Sequence, residues 1–447
     1  MGEWPPRYAD ARTLEGKLQR GLGSGFLEAL DAPRAEVHAI LLECIKRDPR
    51  WDHQVDDRGS YYGELALRLD LPVTPVVELL RSWGAQDDDG DSWVAVDVLQ
   101  HLANRGSEAA DAAIRDYVAW GPWWDSALYD LRNAAGPEWL PLIPGLIEKA
   151  RTEGTGSYFG IRPPFSDWAS LNAQARNFVS EARANEERFE QEKASWKLLS
   201  TEELLKQDQR RPHPFVSAIL GERTSPVHQT ALRNGLLSDS PVTRGLAALA
   251  LARQGEFHLD VATELAVKRK QPPWASSLGR DALALGDSEI VLPMARSWRS
   301  ARNWRKQGAA REILKHHATV DDIPWIEDRL RRCSSNGQIG PLRQLAEVIA
   351  ARFPGREFPL LKRRFDPFTY SYGRRFLAQA LAVTDPTFAT TRAFTSLWDC
   401  EGETRLVAAE HVDLSVAGAV ERLREMAADP LEDERVVEIA TKRLETA

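Results

Sequence analysis

A chain of 447 residues, 43% apolar and 28% charged, is too long for one compact core, and its composition excludes intrinsic disorder. Its formal net charge is −8, and no apolar run approaches the ~18 residues that a membrane helix needs, so no membrane partner is expected. The three scattered cysteines, Cys44, Cys333 and Cys400, fit neither a disulfide framework nor a metal-ligand spacing and read as small buried thiols.

The N-terminus, Met1-Gly2-Glu3-Trp4-Pro5-Pro6-Arg7, lacks the basic-then-apolar pattern of a secretory leader, and a cytoplasmic location is expected. The first clear helix covers 34–47, where Val37, Ile40, Leu41, Cys44 and Ile45 form one apolar stripe and Asp48-Pro49 ends it. A polar loop follows over 48–62. Helices are predicted over 94–103, 109–120, 123–133 and 139–150, punctuated by Gly106, Gly121-Pro122 and Gly136-Pro137. Residues 155–165, with Gly156, Gly160, Pro163 and Pro164, read as a long loop, and 166–209 as a solvated, charge-rich helix joining two halves. The second half repeats the scheme over 242–253, 259–270, 274–285, 290–299, 307–316, 323–332, 342–353, 374–382, 403–411, 416–426 and 436–444, and Ser240-Pro241 supplies an N-cap and a first-turn proline.

Helix pairs recur every 30–40 residues or so, with no alternating strand pattern between them. Helices this short are marginal alone, so each apolar stripe must be buried against its neighbours. The predicted fold is all-α: a right-handed α-solenoid of helical hairpins in two sub-arrays, 1–152 and 209–447, joined by the 153–208 loop and linker helix. In the pairs 109–121/123–136 and 241–255/259–271 the chain resembles HEAT-repeat α-solenoids, in the style of large actinobacterial repeat proteins. That resemblance implies a gripping surface and specifies no chemistry.

Three stretches carry candidate contacts. The 48–62 loop gathers carboxylates, cations and aromatics, among them Arg50, Trp51, Asp52, Arg58 and Tyr62. Over 294–375, eighteen cations face eight carboxylates, a local charge of +10 that leaves −18 on the rest of the chain. Within it, Arg296, Arg299 and Arg302 fall on nearby helical positions, Trp304 and Arg305 follow, and Arg374 and Arg375 close a second aromatic-rich run. The third stretch, Trp123-Trp124-Asp125-Ser126, resembles the Trp-Trp-Asp-Ser motif of HEAT-like DNA glycosylases. The resemblance implies a base-sheltering role for Trp124 and an acid four residues on, but Leu128 holds that slot. Asp125 or Asp130 would have to supply the carboxylate with different geometry.

No cofactor or metal is implied: Gly21-Leu22-Gly23-Ser24-Gly25 lacks a dinucleotide spacing, and Asp87–Asp91 lacks a calcium-loop spacing. The expected function is a non-enzymatic scaffold that recognises a protein or peptide on its concave face. The alternative is nucleic-acid binding through 294–375, with glycosylase-like base excision at 123–130.

Overall fold

The protein was analysed as a computed structural model that describes residues 8–50, 57–84, 92–129, 131–132, 134, 136–154, 160–206, 214–333 and 339–446. Among them lie twenty-seven α-helices and no strand. No described helix is long and apolar enough to cross a membrane. The helices fall into two compact units, one made of residues up to 188 together with 361 onward, the other of 189–333 with 340–360.

In the 189–360 unit, helices Pro214–Glu222, Pro241–Arg253, Pro273–Ala284 and Trp304–His317 pack in series, each against the next but one in sequence. The intervening helices, Pro226–Gly235, Leu259–Val267 and Ser288–Trp298, form the other half of each pair. The predicted Leu-Ala segment shows why: from Leu246 to Ala252 every residue of Pro241–Arg253 is buried. A helix apolar on all sides needs neighbours on all sides, and alternating Leu with Ala lets the axes approach while Leu fills the gap. Ser240 caps its start, accepting from the Thr243 amide at 3.3 Å.

A second device ties repeat to repeat. The last carbonyls of a helix have no partner within it. Here a side chain from the following repeat supplies one. Gln254 donates to the Leu220 and Arg223 carbonyls at 3.2 and 3.1 Å, and Arg352 to Ala318 at 3.1 Å. His317 meets the Ala284 carbonyl at 2.8 Å, and Arg305 donates to Lys268 at 3.0 Å. The sequence separations run from 31 to 37, which is the repeat length itself. In the other unit Arg443 does the same for Val412, at 2.7 Å. Cationic donors also favour the negative end of the helix dipole.

The first unit brings distant segments together. Residues 361–447, expected in a C-terminal array, pack with residues up to 188. Helix Gly23–Asp31 lies against Arg392–Ser396, and a Cβ on Gly23 would sit 1.8 Å from the Thr395 carbonyl oxygen. Cys400 donates its amide to the Gly21 carbonyl at 3.0 Å, and the thiol packs where a Cβ on Gly21 would be. The Gly-rich start is thus a close backbone approach. Helix Ala173–Trp196 buries Ala175, Phe178, Val179 and Ala182 in its first half and is largely solvated beyond, as its charge predicted. All three cysteines are buried and unbridged.

Candidate functional site

Of the expected 48–62 contact loop, most of the described residues are interior. Helix Arg58–Arg68 begins inside it. Arg50 is buried and paired with Asp48 at 2.5 Å. Arg58 and Tyr62 are fully buried, and Trp51 and Asp52 lie outside the described residues. The cause is the end of helix Leu14–Gln19, where five successive carbonyls, of which Gln19 and Arg20 receive no backbone donor in the turn, each accept from a distant side chain. Tyr62 donates to Leu18 at 3.0 Å, Arg58 to Gln19, Arg374 to Arg20 at 2.9 Å and Gly21 at 3.3 Å, and Tyr61 to Leu22 at 2.8 Å. Burial holds both tyrosines well above the ordinary phenol range.

Arg374, expected at a surface, is the centre of this arrangement. Its side chain is sealed from solvent and forms a fork onto Asp399 with two bonds of 2.8 Å. Burial alone would lower its pKa, but Asp399 more than reverses that. Arg375 stacks on Tyr372 and Phe376 and pairs with Glu403 at 3.3 Å. Arg58, Tyr62, Arg374 and Arg375 therefore hold the first unit together and offer little to a partner.

The base-excision geometry is closed at its key residue. Trp124 is 2% exposed, its indole donates to Glu153 at 2.9 Å, and the Lys149 ammonium covers its ring at 4.8 Å. Asp125 accepts from the Ser126 amide at 2.8 Å, and Asp130 lies outside the described residues. A nearby cleft of about 260 Å³ in the same unit is lined by Glu64, His101, Arg105, Arg405, Asp429 and Glu432 among others. Its charges answer one another: Arg105 pairs with Asp429 at 2.6 Å and Arg405 with Glu432 at 2.6 Å. Glu64 meets His101 at 3.3 Å and Arg68 at 2.8 Å. Burial opposes ionisation of Glu64, yet these partners bring its pKa down to about 2. No group of three or more metal-ligating side chains occurs among the described residues.

The 296–305 residues divide. Arg296 and Arg299 converge on Asp322, which is fully buried, at 3.0 and 2.8 Å. Burial disfavours the Asp322 carboxylate, and the Arg296 and Thr319 hydrogen bonds outweigh it. These two arginines dock helix Ser288–Trp298 onto the turn that starts at Thr319. Arg302 stays exposed, and Trp304 is 66% exposed with the Arg305 guanidinium 5.1 Å from its ring. Arg305 also reaches the carbonyls of Lys268 and Gln271, which brings the exposed Lys268-Arg269-Lys270 run beside Trp304. The sequence reading missed that run and the neighbouring Trp274, 38% exposed at the start of helix Pro273–Ala284. A usable signal was present: tryptophan opens two helices of the same layer, at 274 and 304.

No protein-family model matches this chain, and no curated protein matches it. Among solved structures, an engineered protein determined by crystallography is similar at 16% identity over 96% of this chain and 98% of that one. Its TM-score of 0.22 is too low to bear on fold or function.

Proposed function

We propose that this chain is a non-enzymatic scaffold of the HEAT-repeat type that holds a protein or peptide partner against the Trp304 edge of the 189–360 unit. The observation that carries the reading is an indole left 66% exposed among Arg302, Arg305 and Lys268–Lys270. Trp and Arg dominate the energetics of protein interfaces. Covering two-thirds of a roughly 200 Å² aromatic surface at about 25 cal/mol/Å² contributes about 3 kcal/mol. The cations orient an acidic segment beside it. Carboxylates on the same helices, Glu264, Asp281 and Glu312, favour a peptide of mixed character over a phosphate backbone, which would meet them as like charges.

The test is affinity purification from the native host after nuclease treatment, with wild-type protein beside Trp304→Ala and Arg302→Glu. A stoichiometric protein retained by wild type and lost from both variants supports the reading. Equal recovery by the variants overturns it. Loss of binding on nuclease treatment, with a single-stranded oligonucleotide shifted at low but not moderate salt, replaces it with nucleic-acid binding.

A further inference from the structure

Two tryptophans open neighbouring helices of one layer. Trp274 stands in the first turn of Pro273–Ala284, 38% exposed, and Trp304 begins Trp304–His317, 66% exposed. The two helices pack on each other, and the Arg280 Cδ lies 3.7 Å from where a Cβ on Gly308 would be. Their starts are docked as well. Arg305 donates to the Lys268 and Gln271 carbonyls at 3.0 and 3.4 Å, and Asn303 to Val267 at 3.5 Å. Packed helices stand about 8–10 Å apart, so the two tryptophans leave the backbone about 10 Å from each other.

The ground between them is polar, the carbonyls of Lys268 and Gln271 lying under the Arg305 guanidinium. Arg269, Lys270 and Arg302 are exposed at the same edge, with no carboxylate within ion-pair distance among the described residues. Lys268 has Glu264 at 3.0 Å. Asp281 and Glu312 lie about two turns further along the helices that the tryptophans open, roughly 11 Å from this edge.

This geometry selects the conformation of what binds. No strand occurs among the described residues, so a partner has no sheet edge to extend. A β-strand ligand would send residues three apart to opposite faces. A helical ligand needs a continuous apolar seam, which the polar ground between the indoles does not offer. A polyproline II helix turns once every three residues and returns a side chain to the same face about every 9 Å.

We propose that the partner segment held at the Trp304 edge is an acidic polyproline II helix. Proline or another apolar residue at every third position sits on Trp274 and Trp304, and the carboxylates between face Arg269, Lys270 and Arg302. The inference rests on the partner reading above and adds the conformation and repeat of what is bound. Such a segment is ordered before it docks and so loses little entropy on an aromatic surface.

Fluorescence anisotropy tests it with three labelled synthetic peptides. One has proline at every third position and Asp or Glu between, the second has the same composition with its prolines adjacent, and the third is an acidic amphipathic helix. The regular peptide should bind wild type about tenfold or more tightly than either of the others. Trp274→Ala and Trp304→Ala should each weaken it about tenfold or more, as interface tryptophans do. Arg302→Glu should weaken it and flatten its salt dependence. The proposal is overturned if the rearranged or helical peptide binds as tightly, or if Trp274→Ala, folded by circular dichroism, binds as wild type does. Should that variant not fold, the comparison of peptides on wild type decides. If no peptide binds while a host protein is still retained by wild type and lost from Trp304→Ala, this inference falls and the partner reading stands. If neither peptide nor host protein depends on Trp304, both fall.

Discussion

Replacing Arg374 with Met tests whether residues 361–447 and the N-terminal helices form one cooperative body. The side chain is fully buried, and its removal leaves Asp399, 1% exposed, as a charge without its counter-ion. Breaking a buried pair from one side costs about 3–5 kcal/mol. Domains of this kind have roughly 5–15 kcal/mol in total, so a large share of the stability of the first unit should go. The Arg20 carbonyl also loses its donor, while the Gly21 carbonyl keeps the Cys400 amide. Adding Asp399→Leu removes the stranded charge but leaves the Glu401 amide without its acceptor, now 3.0 Å away. Two unmet backbone groups at about 1 kcal/mol each set the residual deficit, so the double variant should be about 1–3 kcal/mol more stable than the single one. Arg374→Lys keeps the charge without the fork and should fall between wild type and Met. Urea unfolding followed by far-UV circular dichroism reads all four proteins. A single variant costing less than about 1 kcal/mol, or a double variant no more stable than the single, would refute the assignment of Arg374 as the central tie of this unit.

Other outcomes follow from the same structure. The Asp281 carboxyl is pushed up to about 6, first by burial and then by Glu312, so stability is lost as pH rises from the ordinary carboxylate range to about 6. Asp281→Asn should add about 2 kcal/mol at pH 8 in chemical denaturation, an advantage that shrinks as pH falls below about 6 and is gone below about pH 4. Glu64 has the opposite sign: its pKa lies at about 2, so its contribution is present above the ordinary carboxylate range and is lost as pH falls towards 2. Glu64→Gln should cost about 2 kcal/mol at pH 7 and nothing at pH 2, and an equal cost at both would count against the His101–Arg68–Arg105 network. Gly23→Ala forces a Cβ onto the Thr395 carbonyl oxygen and should lower the Tm by several degrees, where a solvent-facing alanine would raise it.

The helical plan was legible because periodicity is local. Leu259–Val267, Ser288–Trp298 and Ile323–Arg332 appear within a few residues of their predicted bounds. Helix Arg58–Arg68 was missed because Arg58, Tyr61 and Tyr62 look like polar loop residues until the carbonyls of 18–22 are seen beside them. Those carbonyls are about forty residues away, and Arg374 reaches them from 353 residues away. No window of sequence contains such a pairing. The one local hint was Gly21-Leu22-Gly23-Ser24-Gly25, whose glycines were tested against cofactor motifs rather than against another backbone. The surface part of the site had a better signal, since Trp304 opens its helix on the solvated side.

Buried arginine means two different things in this molecule, and the difference lies in what stands opposite. At Arg374 and Arg405, burial lowers the pKa and a carboxylate more than restores it, so the charge is complete within the fold and needs nothing from outside. At Arg311, burial lowers it and the neighbouring arginines lower it further. Both situations begin from the same desolvation cost. Arg374 and Arg405 therefore fix helices, whereas Arg311 keeps its terminal nitrogens towards solvent.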